Sequence, residues 1–344
     1  MRRETILITS PLEAEHVARI AAVAPDRVEV LYEPDLLPPT RYRNDHKGHP
    51  MTRTAEQQAR WDALLPRATI GFDLPSAADL PKATALRWVQ TTSTGVGQQV
   101  VGLGLVDSPI IITTARGVHA RPLGEFVMMA LLAHFRGLDY LRAEQRAHRW
   151  LRVCFQEVAD RILVILGAGD LARGTARIAK ALDMRVIAIA RNPEQSREHG
   201  ALFDEVVPTS ALHETLARAD AVVLTVPHTP ETERMIDAAA FAAMKPGVAL
   251  VNIARGVVVD EEAMIASLRS GHIAFAALDV TTIEPLPEES PLWDMPNVLI
   301  SPHSASTVDG ENARITDIFI GNLQLWLDGR ADEMTNLLNK KRMY

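Results

Sequence analysis

The chain alternates short apolar runs with stretches in which apolar residues recur at helical spacing. The former pattern predicts buried strands and the latter predicts amphipathic helices. The apolar runs predict strands at residues 5–9, 28–31, 69–72, 87–90, 161–166, 185–190, 220–226, 249–253 and 274–278. The helical spacing predicts helices at residues 12–23, 55–65 and 309–327 and one from about residue 170. Near-continuous apolar strands that alternate with helices indicate a parallel, doubly wound α/β sheet.

Two stretches depart from this alternation. Residues 32–53 are rich in proline and in charge and show no periodicity. A loop of this length is usually functional or disordered, and both interpretations remain open. Residues 123–135 are almost wholly apolar and are introduced by Pro122, which predicts a helix. A helix that is apolar all round is expected at an interface between domains or subunits.

The composition adds limits on the class of protein. A chain of 344 residues is long enough for two domains with separate cores. The net charge of −7 argues against a nucleic-acid surface or an anionic membrane as partner. The single cysteine, Cys154, excludes an intramolecular disulfide and a thiolate metal cluster. The apolar runs are too short for a signal peptide or a membrane span, so we expect a cytoplasmic protein.

A strand, a glycine turn and a helix follow one another at residues 162–172. Gly167 allows the tight turn, Gly169 lets the backbone approach a pyrophosphate, and Ala172 lets the helix lie close to the strand. The N–H groups and the positive end of the helix start, at Asp170 and Leu171, would hold the phosphates. The segment therefore predicts a dinucleotide site.

The end of the next predicted strand, at residues 185–190, bears on the choice of cofactor. NAD enzymes place an acidic residue there to accept a hydrogen bond from the ribose 2′-hydroxyl. This chain has Ala190 followed by Arg191, whose guanidinium suits a 2′-phosphate. The sequence thus favours NADP and leaves NAD possible, with Arg191 then an ordinary surface residue.

Three polar residues follow apolar runs in the second half of the chain, namely Arg255, Glu284 and His303. Each alone has a structural explanation, as a turn residue or a helix cap. Together they suit the reduction of a 2-keto acid, because Arg255 can hold the carboxylate and His303 can donate the proton. Glu284 would stabilise the imidazolium form of His303. No cluster of residues has convincing metal-ligand spacing, so we expect no metal.

These residues lie in segments that resemble the D-isomer-specific 2-hydroxyacid dehydrogenase family. The segments are LTVPHTPET at 224–232, MKPGVALVNIARGVVVDEE at 244–262, AALDV at 276–280, EPLP at 284–287 and SPHS at 301–304. The resemblance runs from about residue 91 to the C-terminus. It implies that Arg255, Glu284 and His303 are the catalytic residues and that Asp279 lies near the nicotinamide carboxamide.

The resemblance also implies further binding residues. The turn at Thr94, Gly95 and Val96 resembles the loop whose backbone amides, with Arg255, bind the substrate carboxylate. The complete set of expected cofactor positions is Gly167, Gly169, Asp170, Leu171, Ala190, Arg191, Val226, Pro227, Ile253 and Asp279.

The family's architecture implies a Rossmann-type domain inserted into a flavodoxin-like substrate domain. The expected boundaries are 1–105 for the first part of the substrate domain, 106–303 for the NAD(P)-binding domain and 304–344 for the return. Members of the family are typically homodimers through the apolar helix and the arm that ends near Trp150. Many have asparagine where this chain has His119. The implied partners are a small 2-keto or 2-hydroxy acid and a second copy of the chain.

Two other functions remain open at this point. One is a dehydrogenase of the same fold that acts on another small anion, such as phosphite. The other is a cofactor-sensing regulatory protein, since co-repressors resemble this family. Formate is disfavoured, because formate dehydrogenases of this fold carry glutamine where this chain has Glu284.

Overall fold

We describe the protein from a computed structural model, and the description covers residues 3–194 and 202–341. The chain forms two compact units, of which unit 1 comprises residues 1–118 and 308–344 and unit 2 comprises residues 119–307. The domain boundaries given by the sequence stay predictions. None of the described helices combines the length and apolar character that a membrane span requires.

The described strands all run parallel within two sheets. They are β1 (Glu4–Ile8), β2 (Val28–Leu31), β3 (Ile70–Phe72), β4 (Trp88–Gln90), β5 (Ile111–Thr113), β6 (Ile162–Leu166), β7 (Arg185–Ala190), β8 (Glu205–Pro208), β9 (Ala221–Leu224), β10 (Val248–Asn252), β11 (Ile273–Leu278) and β12 (Val298–Ile300). The helices are α1 (Ala14–Ala21), α2 (Ala55–Leu64), α3 (Gly97–Gly102), α4 (Ala120–Phe135), α5 (Leu138–Arg146), α6 (Asp170–Ala181), α7 (Leu212–Leu216), α8 (Ala238–Ala243), α9 (Glu261–Arg269) and α10 (Glu311–Leu327).

Unit 1 is built on a five-stranded sheet in the order β2-β1-β3-β4-β5. Helix α10 returns to this sheet, because the ring of Phe319 stacks on Trp88 at a centroid distance of 5.1 Å and meets Phe72 edge-on at 5.3 Å. All three side chains are fully buried. The return of residues 304–344 to the substrate domain stays a prediction.

Unit 2 is built on a seven-stranded sheet in the order β12-β11-β10-β9-β6-β7-β8. Its central strands are buried on both faces, which explains their almost wholly apolar sequences. Helix α6 lies against α4 at very short range, because a Cβ atom on Gly174 would stand 2.3 Å from the carbonyl oxygen of Ala120. The two parallel sheets with flanking helices confirm the predicted α/β fold class.

Several elements differ from the sequence prediction. Strands β5, β8 and β12 were not predicted as such, and neither was helix α5. Helix α4 begins at Ala120, ahead of the predicted start at residue 123. The aperiodic segment 32–53 contains a short 3-10 turn at Pro34–Leu36 and is otherwise irregular.

Candidate active site

The glycine turn after β6 has the conformation that the sequence predicts. Gly167 has a φ of 110°, a region that side-chain-bearing residues rarely adopt. A Cβ atom there would also stand 2.6 Å from Oγ1 of Thr225, which donates to the carbonyl of Leu166. Position 167 therefore requires glycine both for its backbone conformation and for the close approach of the segment that directly follows β9.

The start of α6 offers room for a pyrophosphate. A Cβ on Gly169 would meet no other described atom within 4 Å, so this side of the backbone is open. Gly169 is the N-cap residue of α6 and, as a glycine, places no side chain over its first turn. Asp170 pairs with Arg173, which offsets its negative charge, and Ala172 is fully buried. These features fit the phosphates of a dinucleotide.

The end of β7 carries a cation with a carboxylate near it. Ala190 is buried and Arg191 is exposed. A hydrogen bond from the Thr229 hydroxyl lowers the pKa of Glu231, and the positive charge of Arg191 lowers it further. Arg191 and Glu231 are thus electrostatic neighbours. The sequence reasoning missed Glu231, because 40 residues separate it from Arg191 along the chain.

The remaining predicted cofactor positions follow β9 and β10. Val226 is partly buried and Pro227 is exposed, in a turn where the Thr232 hydroxyl donates to the Pro227 carbonyl at 2.7 Å. Ile253 is buried directly after β10. Since carboxyl ends of parallel strands share one edge of a sheet, these residues lie on the same edge as the glycine turn.

Arg255 stands in a turn that a buried amide holds. Asn252, at the end of β10, accepts from the N–H of Ala254 at 3.0 Å and donates to the carbonyl of Arg255 at 3.1 Å. The Arg255 side chain is exposed. The next residue, Gly256, packs so closely on the loop after β11 that a Cβ atom would stand 2.0 Å from the carbonyl of Thr281. The Arg255 turn is thereby fixed against the loop that leads to Glu284.

Asp279 anchors the segment that carries His303. Its Oδ1 atom accepts hydrogen bonds from the Ser301 hydroxyl at 2.7 Å and from the backbone N–H groups of Ser304 and Ala305 at 2.9 Å each. Its carbonyl accepts from the N–H of His303 at 2.9 Å. This anchoring was not predicted from the sequence, which singled out Asp279 only as a cofactor contact.

His303 and Glu284 form a hydrogen-bonded pair. Nδ1 of His303 lies 2.8 Å from Oε2 of Glu284, and the other carboxylate oxygen accepts from the N–H of Thr281 at 3.2 Å. The two side chains are 48% and 39% exposed, so the pair is open to a ligand. A carboxylate that accepts from Nδ1–H fixes the tautomer and leaves Nε2 to exchange a proton with a substrate. His303 has a φ of 52°, which the Asp279 contacts hold in place.

The predicted substrate turn lies in unit 1, in the segment that follows β4. Thr94 and Gly95 are exposed, and Val96 is buried. The aperiodic segment 32–53 contributes most of the lining of a cavity of about 240 Å³, which Pro11, Leu12, Glu13 and Asn312 complete.

Trp293, in unit 2, is half exposed and donates to the carbonyl of Pro287. His119 directly precedes α4. Within residues 3–194 and 202–341, no group of three His, Cys, Asp or Glu could hold a metal ion.

Comparison with known proteins gives consistent matches. Residues 128–305 match the NAD binding domain of the D-isomer specific 2-hydroxyacid dehydrogenases. D-3-phosphoglycerate dehydrogenase of Mycobacterium leprae is 34% identical over 75% of this chain, and the aligned region spans about half, 48%, of that longer protein. (S)-sulfolactate dehydrogenase of Chromohalobacter salexigens is 35% identical over 69% of this chain and 78% of its own length.

A solved structure agrees over the whole chain. The D-isomer specific 2-hydroxyacid dehydrogenase of Xanthobacter autotrophicus, crystallised with NADPH and MES, superposes with a TM-score of 0.75 at 27% identity. The match covers 99% of this chain and 100% of that one. With the glycine turn, the β6–β12 sheet and the sequence matches taken together, the chain belongs to the family of D-isomer specific 2-hydroxyacid dehydrogenases.

Proposed function

We propose that this protein interconverts a small 2-keto acid and a D-2-hydroxy acid with NADP or NAD as the redox partner. The observation that carries the proposal is the pair formed by His303 and Glu284, at 2.8 Å, on the same sheet edge as the glycine turn. A histidine held by a carboxylate is a suitable proton donor for a developing alkoxide near neutral pH. The bound nicotinamide supplies the hydride for reduction or takes it up in oxidation.

The residues of unit 2 have separate proposed roles in the reaction. Arg255 holds the substrate carboxylate through its guanidinium and so orients the neighbouring carbonyl. His303 gives its Nε2 proton to the carbonyl oxygen in reduction and takes it back in oxidation. Glu284 stabilises the charged imidazole and sets the ring orientation. Asp279, besides the hydrogen bonds that it makes to the His303 segment, would contact the nicotinamide carboxamide of a bound cofactor.

The substrate and the phosphates use backbone groups. In unit 1, amides of the turn at Thr94, Gly95 and Val96 assist in binding the substrate carboxylate. In unit 2, residues at the carboxyl edge of the sheet would hold the cofactor. Its proposed contacts there are Gly167, Gly169, Asp170, Leu171, Ala190, Arg191, Val226, Pro227 and Ile253.

We propose NADP as the preferred cofactor. Ala190 stands where an acidic residue would bind the ribose 2′-hydroxyl of NAD, and Arg191 follows it. The Xanthobacter autotrophicus relative was crystallised with NADPH, which supports the proposal. Glu231 works against it, because a carboxylate near Arg191 repels a phosphate. Measuring kcat/KM with NADPH and with NADH tests the preference, and a higher value with NADH would refute it.

The activity is tested by following oxidation of NADPH and NADH with glyoxylate, hydroxypyruvate and larger 2-keto acids. We expect turnover with at least one keto acid, loss of turnover with intact cofactor binding in His303→Ala, and a raised KM in Arg255→Ala. His272→Ala is the matched control, because His272 directly precedes β11 and so lies at the amino edge of the sheet. Full activity of His303→Ala would contradict the proton-donor role, and no turnover across the panel would favour a sensing function.

We further propose that the protein is a homodimer. The region from α4 to the segment after α5 exposes large apolar side chains that a monomer would leave in water, namely Met129, Leu138, Tyr140, Leu141, Trp150, Leu151 and Val153. Exposed apolar side chains concentrated in one region of the chain are typical of a subunit interface. The dimer is tested by analytical ultracentrifugation.

A further inference from the structure

Asp73 adopts a backbone conformation that is unusual for its residue type. It directly follows β3 and has a φ of 79°, in the left-handed region that favours glycine. Aspartate tolerates this region better than most residues, but a residue stays there only when its surroundings hold it. The contacts of Asp73 therefore indicate the structural role of this conformation.

Both carboxylate oxygens of Asp73 accept hydrogen bonds. Oδ2 accepts from the Thr92 hydroxyl at 2.7 Å, and Oδ1 accepts from the N–H of Leu74 at 2.8 Å. The backbone is held as well, because the N–H of Asp73 donates to the carbonyl of Gln90 at 2.8 Å. On the other side, the Thr9 hydroxyl donates to the Asp73 carbonyl at 3.0 Å. The side chain is thus presented from β3 to the segment that follows β4.

Thr92 is the buried start of the proposed substrate turn. It is 2% exposed, whereas Thr94 and Gly95 are exposed to solvent. The adjoining residue Ser93 is held through its carbonyl, which accepts from the Thr91 hydroxyl at 2.7 Å and from the N–H of Ala115 at 3.3 Å. The turn therefore projects from a base that is fixed on one side by β5 and its following residues and on the other by Asp73.

We propose that Asp73 is a positioning residue, which fixes the turn at Thr94, Gly95 and Val96 for the substrate carboxylate by holding Thr92. This inference rests on the proposed function, since it requires that the turn binds substrate. Asp73 acts through Thr92 and touches neither the reacting atoms nor the cofactor. Loss of the contact weakens substrate binding more than it slows the chemical step, because Arg255, Glu284 and His303 all belong to unit 2.

The test compares Asp73→Ala, Asp73→Asn and Thr92→Val in steady-state kinetics with the keto acid that the wild-type protein reduces best. Asp73→Ala and Thr92→Val should each raise KM for the keto acid by about tenfold, with kcat within about threefold and the NADPH Kd unchanged. Asp73→Asn should restore a KM close to wild type, because asparagine keeps an acceptor for Thr92 and tolerates the left-handed conformation.

Thr69→Val is the matched control. The Thr69 hydroxyl donates to the Glu4 carboxylate at 2.6 Å at the opposite end of β3, so the variant removes the same kind of hydrogen bond from the same sheet. A wild-type KM in Asp73→Ala, or an equal rise of KM in Thr69→Val, would overturn the positioning role. If the wild-type protein neither reduces nor binds any 2-keto acid, the proposed function itself fails, and this inference fails with it.

Discussion

Gly256 offers a sharp test of the site, because a single added methyl group would force two loops of the site apart. In Gly256→Ala the new Cβ would stand 2.0 Å from the carbonyl carbon and oxygen of Thr281 and 2.4 Å from the N–H nitrogen of Thr282. Ordinary contact begins at 3.4 Å, so the two backbones must move apart by about 1.4 Å. The clash is with backbone on both sides, and no side-chain rotation can relieve it.

The displacement falls on the residues proposed to act in catalysis. Arg255 directly precedes Gly256, and the Thr281 loop leads to Glu284, which holds His303. A misplacement of about 1 Å costs on the order of 10²-fold in rate, so kcat/KM should fall by about that factor. Overpacking should also lower the free energy of unfolding by about 1–3 kcal/mol.

The measurement pairs kcat/KM for the preferred keto acid with the midpoint of urea unfolding. Gly321→Ala is the control, because Gly321 lies in α10 and a Cβ there would meet no other described atom within 4 Å. That variant should keep wild-type activity and gain up to about 1 kcal/mol in stability. Wild-type kcat/KM in Gly256→Ala would refute the close coupling of the two loops.

Three further changes have defined outcomes. Asp279→Ala leaves two backbone N–H groups of the His303 segment without an acceptor, which costs about 1–3 kcal/mol for each group. Urea unfolding should therefore show a lower free energy of unfolding, and steady-state assays should show a lower kcat. An unchanged kcat would contradict the anchoring role. Burial, followed by the charge of a nearby arginine, lowers the pKa of His134, whose ring stacks on Phe275. The folded state therefore resists protonation and should lose stability as the pH falls below about 6.5, and His134→Gln should lose less between pH 7.5 and 5 in urea titrations. Trp150→Ser should shift the sedimentation equilibrium from dimer toward monomer, and an unchanged dimer would exclude this residue from the interface.

The sequence was most informative where one physical rule dominates. The buried strands of unit 2 carry apolar runs because both faces of the sheet are covered, and their positions were predicted nearly to the residue, as with β7. The conformation of Gly167 followed from the turn that it makes. The family and its class of chemistry were also predicted and are confirmed by the comparisons. The roles of Arg255, Glu284 and His303 stay predictions.

Other features lie beyond a local pattern. Strands β5 and β12 have three residues each, and β8 is an edge strand of four residues that contains Glu205, so none has a clear period. The hydrogen bonds of Asp279 and Asp73 join residues about 20 or more positions apart. Such contacts depend on how neighbouring loops meet in space, which no spacing along a single chain reveals.

The close packing of α4 on α6 links two surfaces of unit 2. With Gly124 and Gly174 at the contact, the two helices approach each other backbone to backbone at these positions. Helix α4 leads into the exposed apolar region, and α6 begins at the glycine turn. If the proposed dimer forms through this region, a displacement of α4 on association would shift α6, and subunit association and cofactor affinity would then be thermodynamically linked, each altering the other by the same factor.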